Sequence, residues 1–505
     1  MQEQSIYEKL KNYAKSDAYP FHMPGHKRQI KDFGNPFEID ITEIHGFDNL
    51  HHAEGVLKEA QERLARLRNS EDAWFLVNGS SCGILSAVSA CTRVGGKILA
   101  ARNCHKAVYH AIYLRQLRPV YLWPKRETEY GLNGGIDPED MRKILESDPE
   151  IQAVIVTSPT YDGVVSDIRA LADIAHAHGI PMIVDEAHGA HFGFHEYFPV
   201  SAVSLGADIV IQSFHKTLPS LTQTAVMFRN GKLTDRERLA RFLGIYQSSS
   251  PSYVFMASLD RCTALLEEKG DTLFEEFAGR LEAFRKKAEQ WNSIQVPGKE
   301  LIGRNGVFDL DRSKLVLSVK GVCSGEELSS RLREEYHLEM EMDAAGYALA
   351  LTSFLDTEEG FERLAEALTQ IDKELHEMQA EQMQKEVHNE NLDEWTKKAG
   401  KIPAAAEKPL ENKENGQIPD YVFENEYVCS PADAWDALSE RISLKDSLGR
   451  ISGEFMYLYP PGIPLLVPGE RISQELLARV QGCLESGLSI QGMEDFSCQT
   501  VRVLK

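Results

Sequence analysis

From residue 53 to about residue 230 the chain alternates short, continuously apolar runs with stretches of helical periodicity. The apolar runs fall at 74–77, 97–101, 120–123, 153–156, 182–184, 209–211 and 225–228. A strand that is apolar on both faces must be covered on both faces, and the helical stretches between successive runs supply that cover. The pattern therefore predicts an α/β domain with a parallel or mostly parallel sheet. Ligands of such sheets bind beyond the carboxyl ends of the strands. The polar and glycine-rich segments lie just there: Asn78-Gly-Ser-Ser81 after one run, Asp185-Glu-Ala-His188 after another, and Ser213-Phe-His-Lys216 after a third. Their placement points to one cleft.

The flanking regions read differently. Residues 1–50 look irregular, with a Pro/Gly/His cluster at Phe21-His-Met-Pro-Gly-His-Lys-Arg28. Leu57, Ala60, Leu64 and Leu67 recur at helical spacing and predict a helix over 53–68. The pattern is helical from about 235 to 295, a second α/β segment begins near 300, and 357–393 reads as a long charged helix. A flexible connection is expected next, around Lys401-Ile-Pro-Ala-Ala-Ala-Glu and Asn412-Lys-Glu-Asn-Gly. The expected organisation is a linker segment over 1–50, a large domain over 51–295, a small α/β domain over 296–393, a connection over 394–425 and a C-terminal domain over 426–505.

At 505 residues, 42% hydrophobic and 9% aromatic, the chain can bury a large core in two or three units. No apolar run is long enough to span a bilayer, and Met1-Gln-Glu-Gln-Ser-Ile-Tyr lacks the basic-then-apolar pattern of a secretory signal. The eight cysteines contain no Cys-x-x-Cys pair and read as reduced thiols of a cytosolic protein. A net charge of −22 argues against nucleic acid as a partner. It suits a cationic substrate, and equally a surface that is acidic only for solubility.

Four strand-end features carry chemistry. Lys216 follows the run Ile209-Val-Ile-Gln and is flanked by Ser213, His215 and Thr217, a place for an amine that reaches an aldehyde or for an ordinary strand-end lysine. Asp185 closes Pro181-Met-Ile-Val-Asp, where a buried carboxylate is costly unless a cation or donor meets it. A protonated pyridine nitrogen would meet it; so would a turn or a metal, with Glu186, His188 and His191 close by, although no second ligand group at metal-site spacing is present and none is assigned. Ser80 and Ser81 open a helix running to about Cys91, an anion site or a plain N-cap. His105 begins another helix, where an imidazole can stack on a flat ring or simply cap.

Taken together the sequence resembles the Orn/Lys/Arg decarboxylases, pyridoxal 5′-phosphate (PLP) enzymes of the aspartate-aminotransferase-like fold type I. The resemblance rests on Phe21-His-Met-Pro-Gly-His26, Asn103-Cys-His-Lys106, Ser158-Pro-Thr-Tyr-Asp-Gly163, Val184-Asp-Glu-Ala-His-Gly-Ala-His191, and Ser213-Phe-His-Lys216 through Thr222-Gln-Thr224. Downstream it rests on Tyr459-Pro-Pro-Gly-Ile-Pro-Leu-Leu-Val-Pro-Gly-Glu470.

The resemblance implies a large domain of the aspartate-aminotransferase-like fold with smaller C-terminal α/β domains, in a short form without an N-terminal wing. It implies PLP as cofactor, with Lys216 as the Schiff-base lysine, Asp185 on the pyridine nitrogen, His105 stacked on the ring and Ala187 on the opposite face. Ser80, Ser81, Ser213 and His215 would hold the phosphate or its surroundings, with His188 beside them. Ser249, in Gln247-Ser-Ser-Ser-Pro-Ser-Tyr253, would reach the phosphate of a neighbouring subunit, which implies a homodimer with shared sites. Glu470 would face the basic end of the substrate. The implied reaction is decarboxylation of arginine, lysine or ornithine, with Lys216 or His215 returning a proton to Cα. Aminotransfer or aldol cleavage on the same fold, or a catalytically silent relative, are the alternatives.

Overall fold

The structure is a computed structural model that describes residues 5–399, 425–458, 463–485 and 489–505. Most of the expected connection over 394–425 and residues 459–462 of the C-terminal signature lie outside the described residues. All seven apolar runs are strands: β1 (Asp72–Leu76), β2 (Lys97–Ala101), β3 (Arg118–Leu122), β4 (Ile151–Thr157), β5 (Met182–Asp185), β6 (Ile209–Gln212) and β7 (Ala225–Arg229). They form one sheet in the order β1-β7-β6-β5-β4-β2-β3. Every pairing is parallel except those of β7, which runs against both β6 and β1. Residues of β4, β5 and β6 are almost all buried, as strands with helices on both faces must be.

The helix Val56–Arg68 precedes β1, and Gly79–Cys91, Lys106–Leu114 and Ile168–Ala177 lie between successive strands. Gly83 lets its helix sit close on the sheet: a Cβ there would meet the Leu76 side chain at 2.7 Å and that of Ile211 at 3.1 Å. A 36-residue helix, Tyr253–Ala288, then leads to a smaller unit. That unit has an antiparallel sheet of Lys314–Ser318, Tyr347–Leu351 and Met342–Ala344, flanked by the helices Gly325–Tyr336 and Glu358–Ala399. The C-terminal residues build a separate core around Met456, Leu465, Ile472, Leu476, Val480, Val501 and Val503.

The N-terminal segment departs from the irregular reading. Ile6–Lys15 is a helix whose capping box is Ser5 with Glu8, a local signal present in the sequence. Tyr19–Phe21 then pairs in parallel with Leu338–Met340 of the small unit. Lys27 is buried and donates to the carbonyls of Pro20 (3.0 Å), His22 (2.8 Å) and Leu351 (2.7 Å), with Asp356 at 3.8 Å. The same segment touches the chain beside Lys216. The Gly25 N–H donates to His215 O (2.8 Å), and a Cβ on Gly25 would fall 2.7 Å from the Thr217 carbonyl carbon. Only glycine allows that approach.

Candidate active site

Beyond the carboxyl ends of β2, β4, β5 and β6 the structure encloses a cavity of about 460 Å³. Lys216, Asp185, His105, Ala187, His188, His215 and Ser80 all line it. Each strand supplies its residues as the chain leaves the sheet. Asp185 is the last residue of β5, in register with Thr157 of β4 and Ile211 of β6. Lys216 sits in the short helix Phe214–Thr217 just after β6. His105 is the N-cap of Lys106–Leu114, and its Nδ1 accepts from the Ala107 N–H at 3.2 Å.

Burial sets the charge states. It raises the Asp185 carboxyl above its ordinary range, opposed by the nearby Lys216 amine and by the Ala187 N–H, which donates at 3.2 Å. Burial, aided by Lys216, pushes His105 down to about 3, so its ring is neutral. His215 is pushed to about 4 by burial, and its Nδ1 lies 2.8 Å from Thr224 O, where it donates. Burial also lowers the Lys216 amine. Its Nζ lies 2.7 Å from His188 Nε2.

Ser213 Oγ donates to Ser80 Oγ at 3.0 Å, at the start of the helix Gly79–Cys91. Asn78 makes no side-chain cap there, so the first-turn N–H groups keep their capacity to bind an anion. Ser81 is exposed on that turn and does not line the cavity. Ser249 is exposed as well and lies outside this cavity.

Glu470 is a correction. It is 1% exposed, gives both oxygens to Arg102, and also accepts from Asn425 Nδ2 (2.9 Å) and the Val467 N–H (2.9 Å). A carboxylate so engaged in the core is not available to a substrate in this cavity. The acidic and histidine cluster beyond Asp185 also disperses. Glu186 binds Ser201, Ala202 N and Gln212, whereas His191 Nε2 meets Asp311 at 3.1 Å.

Several cavity residues escaped the sequence reading. Glu341, between two short strands of the small unit, accepts from the Tyr161 hydroxyl and from Met23 N (2.8 Å). Met23 and Pro24 arrive with the N-terminal segment, and Ile463 with the C-terminal unit. Asn103 and Tyr161 stood within the quoted motifs, but nothing in the sequence assigned them a task.

The family profile described as "Orn/Lys/Arg decarboxylase, major domain" matches residues 4–324, and "Orn/Lys/Arg decarboxylase, C-terminal domain" matches residues 419–483. The seven-stranded sheet with its one reversed strand, and the cavity at its carboxyl edge, place the chain in the aspartate-aminotransferase-like fold class. The lysine decarboxylase of Francisella novicida has a similar structure: TM-score 0.75 at 20% identity, covering 98% of this chain and 80% of that one. In sequence the chain is 32% identical to the arginine decarboxylase of Bacillus subtilis (strain 168), over 100% of this chain and 98% of that relative. It is 24% identical to the constitutive lysine decarboxylase of Escherichia coli (strain K12), over 92% and 75% respectively. The chain belongs to the Orn/Lys/Arg decarboxylase family, and is an amino-acid decarboxylase acting on a basic amino acid.

Proposed function

We propose that this chain is a PLP-dependent arginine decarboxylase that releases carbon dioxide and agmatine. The observation that carries the reading is the opening of Lys216, Asp185 and a second acid, Glu341, into one cavity. The choice of arginine over lysine draws support from relatives called arginine decarboxylase, at 30–32% identity, against 24% for those called lysine decarboxylase.

The residues suit PLP. Among the described residues, the buried Asp185 carboxylate accepts one hydrogen bond, and Asn103 Oδ1, on a residue that also lines the cavity, is buried without a partner. Unmet polar groups of this kind are costly unless a ligand meets them. Asp185 would hold a proton on a ring nitrogen set against it. Neutral His105 would stack on one face of the ring and Ala187 would pack on the other. Ser80, Ser213 and the uncapped helix start would hold the phosphate. When bound, PLP supplies the ring that takes up the electron pair released as the Cα–carboxylate bond breaks.

The chain's own residues do the rest. Lys216 is the amine that would hold the cofactor and, with it bound, release the product. Lys216 or His215 returns the proton to Cα. Glu341 takes over the task first assigned to Glu470 and faces the cationic end of the substrate. Ser249 lies outside its own cavity, and exposed Ile6, Tyr7, Leu10 and Phe37 crowd the N-terminal segment. Both support a homodimer in which Ser249 completes the partner's phosphate site.

Product analysis tests the reading. The chain with PLP is incubated separately with arginine, lysine and ornithine, and agmatine, cadaverine, putrescine and carbon dioxide are assayed beside Lys216→Ala. Agmatine with equimolar carbon dioxide, absent in Lys216→Ala, is expected. Cadaverine or putrescine instead would reassign the substrate, and no amine at all would move the reading to another PLP reaction.

A further inference from the structure

Two lysines bracket one imidazole. His188 Nε2 lies 2.7 Å from Lys216 Nζ, and His188 Nδ1 lies 3.0 Å from Lys314 Nζ. Lys314 is 2% exposed and His188 6%, so their contact is shielded from solvent, while Lys216 is half-buried at the cavity wall. The ring rests on Tyr161, 4.6 Å between centroids, and Lys314 Nζ lies 5.6 Å from the same tyrosine ring. Lys314 comes from the small unit, Lys216 and His188 from the large one. Nothing in the notion of a cofactor-binding lysine calls for a second buried lysine on the far side of a histidine.

Donor arithmetic restricts the charges. A neutral imidazole has one N–H and one lone pair, and an ammonium only donates. Two ammonium groups would need two lone pairs on the ring, so at most one of the two lysines is charged. Burial first, with the Lys314 charge beside it, holds His188 well below its ordinary range, so the ring itself is neutral.

The carboxylates decide which lysine keeps its proton. Lys314 faces Asp311, Glu341 and Asp162, whereas Lys216 faces Asp185 and Glu341. Asp311 is held ionised by His191 and Ser313, whose hydroxyl donates at 2.6 Å. Asp185 is itself raised by burial and offers less. Burial pulls Lys314 down to about 8 against its acids, which still leaves it mostly protonated at neutral pH.

We propose that Lys314 is a positioning residue for the reactive amine: its ammonium donates to His188 Nδ1, fixes the ring as the Nε2–H tautomer, and presents Lys216 with a donor that only an uncharged amine accepts. An ordinary lysine is uncharged in only about 1 molecule in 2,500 at pH 7, and a charged one cannot attack a carbonyl carbon. The small unit thereby prepares Lys216 before the cofactor arrives. The proposal rests on Lys216 being the reactive amine, and its tests need no cofactor.

The first test titrates Lys216 in the full-length chain without PLP, by ¹³C-reductive methylation and NMR, with Lys216→Ala assigning the signal. Lys314→Met is expected to raise the Lys216 midpoint by about one unit or more, a roughly tenfold loss of free amine at pH 7, because a like charge is gone and His188 Nε2 is free to accept. Lys314→Arg, which keeps the donor and the charge, should restore most of it. An unchanged midpoint in folded Lys314→Met overturns the proposal. Should that variant not fold, the tautomer of His188 in the unaltered chain decides, read by ¹⁵N NMR of labelled histidine. An Nε2–H ring supports the proposal, and an Nδ1–H or charged ring overturns it. If both tests succeed and the chain then fails to take up PLP, the functional reading fails and the relay stands.

Discussion

The Arg102 guanidinium is held by both carboxylate oxygens of Glu470, at 3.2 and 3.1 Å, with neither side chain more than 2% exposed. Arg102 is the residue after β2, next to Asn103 and three residues before His105 of the cavity wall. It also donates to Pro464 O (2.8 Å) and the Tyr109 hydroxyl (3.1 Å), among the rings of Tyr109, Tyr121 and Trp123. The pair pins the C-terminal unit, which contributes Ile463 to the cavity, onto the turn that carries His105.

Glu470→Ala leaves a buried guanidinium without its counter-charge and should lower unfolding stability by about 3–5 kcal/mol. The double variant Arg102→Met with Glu470→Met, which leaves no orphaned charge, should recover much of that. Denaturant unfolding monitored by circular dichroism checks both. Normal stability in Glu470→Ala with a raised KM for arginine would instead return Glu470 to the substrate.

The strands were legible because a run apolar on both faces has few places to go, and strand-end residues such as Asp185 and Lys216 follow from that placement. Glu341 and Lys314 were not. A charged residue at the edge of a short apolar run ordinarily marks a solvated face, and only the packing of the small unit against the large one buries Lys314 and turns the half-buried Glu341 into the cavity. The Arg102–Glu470 pair was hidden for a related reason: its members are 368 residues apart. The N-terminal helix was readable from Ser5 and Glu8, a purely local signal that the irregular reading of residues 1–50 passed over.

Asp185→Asn keeps the shape of the β5 end but removes the charge that would keep a ring nitrogen protonated. Turnover of arginine should fall by about 100-fold or more, in line with the loss of one preorganised electrostatic partner in a closed site. The fold should survive, since burial already disfavours the charged form of Asp185. Carbon dioxide release measures the effect. Turnover within a few-fold of the parent would remove Asp185 from the mechanism.

Glu341→Gln tests substrate recognition apart from cofactor binding. A charge-assisted hydrogen bond is worth about 1.5–3 kcal/mol, so KM for arginine should rise about 10- to 100-fold. The glutamine Oε1 can still accept from Met23 N while its Nε2 donates to the Tyr161 hydroxyl, which keeps the loop in place. The visible absorbance with PLP should therefore remain. Loss of absorbance without a change in KM would show that Glu341 serves the architecture and not the substrate.

Acid stability should depend on the neutral histidines of the cavity. His215 has an ordinary value of 6.5 when unfolded and about 4 when folded, so between those limits the unfolded chain binds the extra proton. Its contribution is fully present above pH 6.5 and is lost as pH falls toward 4, by about 1.4 kcal/mol per pH unit for one proton. His105, driven to about 3, acts with the same sign over a longer range. Glu186 acts with the opposite sign. Burial raises it to about 7, so the folded chain binds the extra proton between about 4.5 and 7 and gains stability on acidification there. The net slope mixes these groups, but a variant separates them. In His215→Gln, whose amide can still donate to Thr224 O, stability between pH 4.5 and 6.5 should vary less steeply than in the parent by about 1.4 kcal/mol per unit. Denaturant unfolding across a pH series measures it. Parallel pH profiles for parent and variant would mean that His215 takes up its proton in the folded chain as readily as in the unfolded one, and that burial does not hold it neutral.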